Sequence, residues 1–241
     1  EIIPIGENRD NLIDKEVEKD IIDYISEVKN NSYRYEPFYM RAQRKNEKLI
    51  SRILNFFKKD LRLIFLDIRH NTGRLILKKY NPINPTYSVY VFRYFKNLLR
   101  RRNLNNSAYK AITEINLEKK FVYFPLHFEP ERTTNPDGNN FHDQFITLTK
   151  IREFIDADVD IIIKEHPTQL RSYFKRGIWG RSPLFYRLVK NIKGVQIANP
   201  NYSSLELIKK SQVVFSITGT VALESAILGK KAVTFGSTYF D

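Results

Sequence analysis

The chain has 241 residues, a formal net charge of +13, 42% hydrophobic and 13% aromatic content, and no cysteine. That apolar content can offset the entropy of ordering and argues against a disordered chain, while the missing cysteines exclude disulfides, thiolate metal sites and a Cys nucleophile. No apolar run approaches the roughly 20 residues that span a bilayer, no signal-peptide pattern opens the chain, and the charge calls for an anionic partner.

Residues 1–118 are expected to form a mainly helical region. Asn11 to Val28 places Leu12, Val17, Ile21, Ile22 and Ile25 at helical spacings. A second helix is expected from Tyr39 to Phe57, and Leu63 to Leu66 is either a short strand or the start of a further helix. Asn81-Pro82 and Asn84-Pro85 punctuate the chain, and Pro85 opens a helix through Arg100. The polar stretch Asn103 to Ser107 reads as a linker. Much of the basic excess lies in this half, as in Lys58-Lys59 and Arg100-Arg101-Arg102. It fits an acidic membrane face or an anionic glycan or glycolipid, and equally a solvated surface. Nucleic acid is set aside, because zinc-finger spacing, RNP-like aromatics and a helix-turn-helix are all missing.

From Lys119 the rhythm becomes strand, loop, helix, repeated to Asp241. Strands are expected at Phe121–Leu126, Val159–Ile163, Val195–Ala198, Gln212–Ser216 and Ala232–Phe235. Helices are expected at Phe141–Ile155, with Phe145, Leu148, Ile151, Phe154 and Ile155 on one stripe, and at Pro183–Ile192. Two more fall at Ser203–Lys210, capped by Ser203 or Ser204, and at Thr220–Leu228, ended by Gly229. This alternation predicts an α/β unit over 119–241, a Rossmann-like parallel sheet with helices on both faces. Such sheets take ligands at the carboxyl ends of their strands, so the residues that follow each strand carry the functional argument.

After the strand ending at Ser216 comes Ile217-Thr218-Gly219-Thr220, a small, hydroxyl-rich turn into a helix. Backbone N–H groups and the positive helix end make this a candidate phosphate cradle, with Ser216, Thr218 and Thr220 as donors and Gly219 admitting close approach. Glu224, one turn on, is the lone charge of an apolar segment and a candidate to accept from a ribose diol. The plainer reading keeps a threonine as helix cap and pairs Glu224 with a structural lysine. After the strand ending at Ile163 come Lys164-Glu165-His166-Pro167, where Lys164 and His166 can donate to a phosphate and His166 can assist departure of a leaving group; a surface turn is the alternative. After Leu126 comes His127-Phe128-Glu129-Pro130-Glu131, which can supply a carboxylate for acid–base work or for stabilising charge at an anomeric carbon, or form a charged loop. All three segments fall at strand ends of one sheet.

These segments, Phe124 to Glu131 (FPLHFEPE), Lys164 to Pro167 (KEHP) and Ser216 to Gly236 (SITGTVALESAILGKKAVTFG), resemble in order and spacing the capsule polysaccharide biosynthesis family, which includes bacterial Kdo transferases. The resemblance covers about Phe121 to Gly236. It implies a GT-B glycosyltransferase acting in the cytoplasm, peripheral to the membrane's inner face, on a nucleotide-sugar donor, commonly CMP-Kdo. By position, Lys164, His166, Ser216, Thr218, Gly219 and Thr220 would hold the donor phosphate and Glu224 the ribose, with His127 and Glu129 near the sugar. Glu131 would be the catalytic carboxylate, helped by His166, with no cofactor and no metal. Glu129 stands where the family has Gln. A glycerophosphotransferase of the teichoic-acid type or a UDP-sugar 2-epimerase would use the same scaffold, and a non-enzymatic polyanion-binding module would share the charge. The chain opens on Glu1 and stops at Asp241 soon after its last expected strand, so a partial or divergent enzyme is expected.

Overall fold

Five short apolar runs form one parallel sheet in the computed structural model, which describes residues 15–30, 87–130, 134–170 and 177–237. The strands are β1 (Phe121–Pro125), β2 (Asp160–Lys164), β3 (Val195–Ala198), β4 (Val213–Ser216) and β5 (Lys231–Thr234), in spatial order β3-β2-β1-β4-β5. β1 and β2 run in register from Phe121 beside Asp160 to Pro125 beside Lys164. β4 meets β1 at Tyr123 and Val214.

Because successive strand side chains point to opposite faces, the central strands feed two cores. Val122, Phe124, Ile161, Ile163 and Ile197 face one helical layer. It is made by α2 (Tyr87–Ala111), α3 (Gln144–Phe154) and α5 (Pro183–Lys190), which contribute Leu104 and Ala108, Leu148 and Ile151, and Tyr186 and Val189. Phe121, Tyr123, Ile162 and Ala198 face the other layer. There α1 (Lys15–Lys29), α6 (Ser204–Lys210) and α7 (Val221–Ile227) contribute Val28, Leu205, Leu207, Ile208 and Val221. Burial on both faces explains why β1 and β2 read as continuous apolar runs rather than alternating ones.

Local signals fix the helix starts. Asp143 accepts from the Phe145 and Ile146 amides at 2.8 and 3.2 Å to open α3. Ser182 followed by Pro183 opens α5, and Ser203 accepts from the Glu206 amide at 3.4 Å to open α6. Gly229, at φ +68°, follows α7.

Two expectations need correction, and one helix was not foreseen. Asn103 to Ser107 is no linker but lies inside α2, because Leu104 and Ala108 are one turn apart and both buried in the core. Phe154 leaves the expected stripe of α3 and is 87% exposed; Thr147 and Gln144 are buried in that helix instead. The short helix α4 (Gly177–Gly180) carries no periodicity long enough to be read in advance. The helix expected at Tyr39–Phe57 and the run Leu63–Leu66 lie outside the described residues. Among the described residues, no helix is long and apolar enough to cross a membrane.

Candidate functional site

The chain leaves β1 for α3 on one face of the sheet and leaves β4 for α7 on the other. Neighbouring parallel strands whose connections diverge in this way open a crevice at their carboxyl ends. His127 stands just beyond β1, and the Ile217–Thr220 turn just beyond β4. The two segments touch. The Ile217 amide donates to Nε2 of His127 at 3.3 Å, and the Ser216 hydroxyl lies 3.4 Å from the same nitrogen. Burial, with the Arg181 charge nearby, pushes the His127 imidazole down to about 4, so the ring is neutral and acts as an acceptor through Nε2.

The hydroxyl-rich turn is partly organised from within. Ser216 is fully buried, and its Oγ accepts from the Gly219 amide at 2.9 Å. A Cβ at Gly219 would stand 3.0 Å from that Oγ and 3.1 Å from Cε1 of His127, a tight fit that the glycine relieves where the two loops approach. Thr218 is buried, whereas Gly219 and Thr220 are half-buried. Thr220 sits at the N-cap of α7 without bonding its backbone; its hydroxyl points to Oε1 of Glu224 at 3.4 Å. Two glycines draw a third loop in. A side chain at Gly236 would strike Asp137 and Thr218, and one at Gly138 would strike Thr134 and Ile217. The segments after β1, β4 and β5 therefore converge.

Glu224 is turned inward, 6% exposed. Desolvation raises its carboxyl, with the Thr220 hydroxyl and the Lys164 charge opposing. Lys164, at the end of β2, is buried as well and donates from Nζ to the Tyr202 carbonyl at 2.9 Å and to Oγ of Ser204. Burial lowers its ammonium to about 8, against the pull of Glu224. Lys164 and Glu224 thus form one buried electrostatic unit. Below them the Tyr123 phenol is fully buried, and burial pushes it above its ordinary range.

His166 is half-buried, with Nδ1 at 2.6 Å from the Thr168 hydroxyl and its ring centroid 6.0 Å from that of Phe128. Glu129 is held at three points. Its carboxylate accepts from Nε2 of Gln144 at 2.6 Å, its amide donates to Gln169 at 2.7 Å, and its carbonyl accepts from Gln169 at 3.0 Å. Desolvation raises the Glu129 carboxyl, and Gln144 and Arg181 offset part of that. Glu131 lies outside the described residues.

Sequence reasoning missed a buried polar node that locks the β1 and β2 ends together. Glu165 accepts from Arg181 at 3.2 and 3.3 Å, from the Tyr186 hydroxyl at 2.6 Å and from the His166 amide at 2.9 Å. Arg181 also donates to the His127 carbonyl at 3.1 Å, and Gln144 bonds both backbone groups of His127. A charge buried to this depth needs such satisfied partners. The one available signal was that Glu165 directly follows an apolar strand.

No family model matches the chain. Protein FixF of Sinorhizobium fredii (strain NBRC 101917 / NGR234) is 28% identical over 143 residues, which make up 57% of this chain and 31% of FixF. Among solved structures, Thermosulfurimonas dismutans KpsC, described as a beta Kdo 2,7 transferase, aligns at a TM-score of 0.40 with 17% identity, covering 70% of this chain and 46% of that one. A second KpsC structure from that organism, a beta Kdo 2,4 transferase, gives 0.39 and 12%, covering 60% and 45%. The chain spans about a third of FixF and under half of each solved chain. The Rossmann-like character of the fold stands on its own strand order and diverging connections.

Proposed function

We propose that this chain is the nucleotide-binding part of a GT-B-type glycosyltransferase of surface polysaccharide synthesis, moving Kdo from CMP-Kdo to a glycan or glycolipid acceptor at the cytoplasmic face of the membrane. The observation that supports the reading is the strand order, which brings the His127 and Ile217–Thr220 segments together at the carboxyl ends of neighbouring strands β1 and β4. In this reading Gly219 and Thr220 meet the donor phosphate with Thr218 behind them, and Ser216 acts by holding the turn in shape. Lys164 supplies positive charge from below, and His166 approaches from the β2 side. Glu224, held between Thr220 and Lys164, reaches the ribose when the donor is bound.

As the glycosidic bond to the nucleotide breaks, the phosphate leaves as an anion and positive charge grows on the sugar. Donors fixed in advance stabilise the anion without reorganising, and Glu131 is the carboxylate assigned to the developing charge. A single phosphodiester can be neutralised by these groups alone, so the proposed reaction needs no metal. The neutral His127 contributes an acceptor that orients the turn.

A thermal-shift panel of CMP, UDP and CDP-glycerol on the full chain tests the donor class, with CMP expected to stabilise most. Stabilisation by CDP-glycerol alone would replace the Kdo reading with a glycerophosphotransferase. Glu131→Ala is expected to abolish transfer while CMP binding survives, and His166→Ala to weaken CMP about tenfold, roughly 1.4 kcal/mol. Unchanged turnover in both variants removes the site assignment.

A further inference from the structure

A cleft of about 470 Å³ opens beside the β1 loop, among the start of α3, α4 and α5. That volume falls within the roughly 300–1,000 Å³ of small-molecule sites. Its lining combines the apolar Phe145, Trp179 and Leu184 with the carboxylates of Glu129 and Asp143. Trp179 is the chain's single tryptophan and is 64% exposed, and Leu184 is 50% exposed. The Arg100 guanidinium lies 5.2 Å from the centroid of the Trp179 ring, so the indole is steadied by a cation. Its neighbour Gly180 packs so closely on Glu129 that any side chain there would collide with the Glu129 backbone. The α4 backbone is thus seated against that of Glu129, Trp179 and Glu129 line the same cleft, and Glu129 is itself pinned by Gln144 and Gln169.

An exposed indole next to anchored carboxylates is the chemistry that recognises an uncharged sugar ring. The apolar C–H face of a pyranose lies on the aromatic surface, and its hydroxyls donate to carboxylate oxygens. An anionic sugar would meet Glu129 and Asp143 as like charges. Arg181 also lines the cleft, but its guanidinium is buried and engaged by Glu165 and the His127 carbonyl. We infer that this cleft binds a neutral pyranose residue, belonging in the proposed reaction to the acceptor glycan. The acceptor role rests on the transferase reading; the binding of the sugar does not. Glu129 joins the two sites, since it belongs to the loop that follows β1 and carries Glu131.

The single tryptophan makes the test direct. The intrinsic fluorescence of the full chain is titrated with methyl β-glucopyranoside and cellobiose, and separately with free Kdo, while CMP is measured by thermal shift on the same samples. The expected result is a saturable change with the neutral glycosides, tighter for the disaccharide. It should weaken about tenfold in Glu129→Gln, which keeps shape and removes charge, and vanish in Leu184→Arg, a change at an exposed position that fills the cleft. No saturable change with either glycoside, or a stronger response to Kdo than to both, overturns the inference. A glycoside response without any CMP effect supports the cleft and sinks the CMP-Kdo transferase reading. A CMP effect without a glycoside response does the reverse.

Discussion

His127 is buried, neutral and hydrogen-bonded to the turn beyond β4, and this gives it a signature in acid. Its imidazole lies at about 4 in the folded chain against an ordinary 6.5. Between those values the unfolded chain takes up a proton that the folded chain refuses, so stability is full above 6.5 and falls as the pH drops toward 4. The loss reaches at most about 3 kcal/mol. Urea unfolding at pH 7 and pH 4.5 should show a smaller acid loss for His127→Gln than for the natural chain; equal losses would contradict the assignment. Residues of this kind were only half legible. The sequence order marks His127, Lys164 and His166 as standing at strand ends, because an apolar run followed by polar residues says where a strand stops. It gives no hint that Arg181, Gln144 and Gln169 reach back to those ends, since they come from a loop and a helix start whose polar residues look like surface. Nor does it show that the Ser216 hydroxyl turns inward to hold Gly219.

Elements were readable in proportion to the strength of their apolar pattern. β1 to β4 stand within a residue or two of where continuous Val, Ile and Phe runs predict them, and the Ser182-Pro183 and Ser203 starts follow capping chemistry. α2 was not readable through Asn103 to Ser107, because a helix with one narrow buried face carries polar residues on the rest of its circumference. Its packing makes a definite prediction. Leu104 is 2% exposed in the core shared with β1 and α3, so Leu104→Ala should cost about 2–5 kcal/mol in denaturant unfolding. The neighbouring exposed Asn106→Ala should stay within about 0.5 kcal/mol. Similar small effects at both positions would mean that α2 does not pack on the sheet in solution.

For the molecule as a whole, the charge of +13 sets long-range behaviour rather than fold. The proposed station at a membrane face predicts co-sedimentation with vesicles rich in phosphatidylglycerol and little with phosphatidylcholine alone. Raising salt from about 0.1 M to about 1 M shortens the screening length from about 10 Å to about 3 Å and should release the chain. Binding that ignores both lipid charge and salt would remove the membrane part of the proposal. The cleft beside Trp179 suggests a division of labour, with the global field gathering an anionic partner and a local aromatic surface reading its uncharged part.

The contact between Gly180 and the backbone of Glu129 has a consequence for how such a molecule can change over generations. A methyl group at position 180 would stand 2.2 Å from the Glu129 carbonyl carbon, so one main chain or the other must shift to admit it. Drift in the α4 segment and drift in the loop that follows β1 are therefore tied together, and a lineage that altered one would carry the other along.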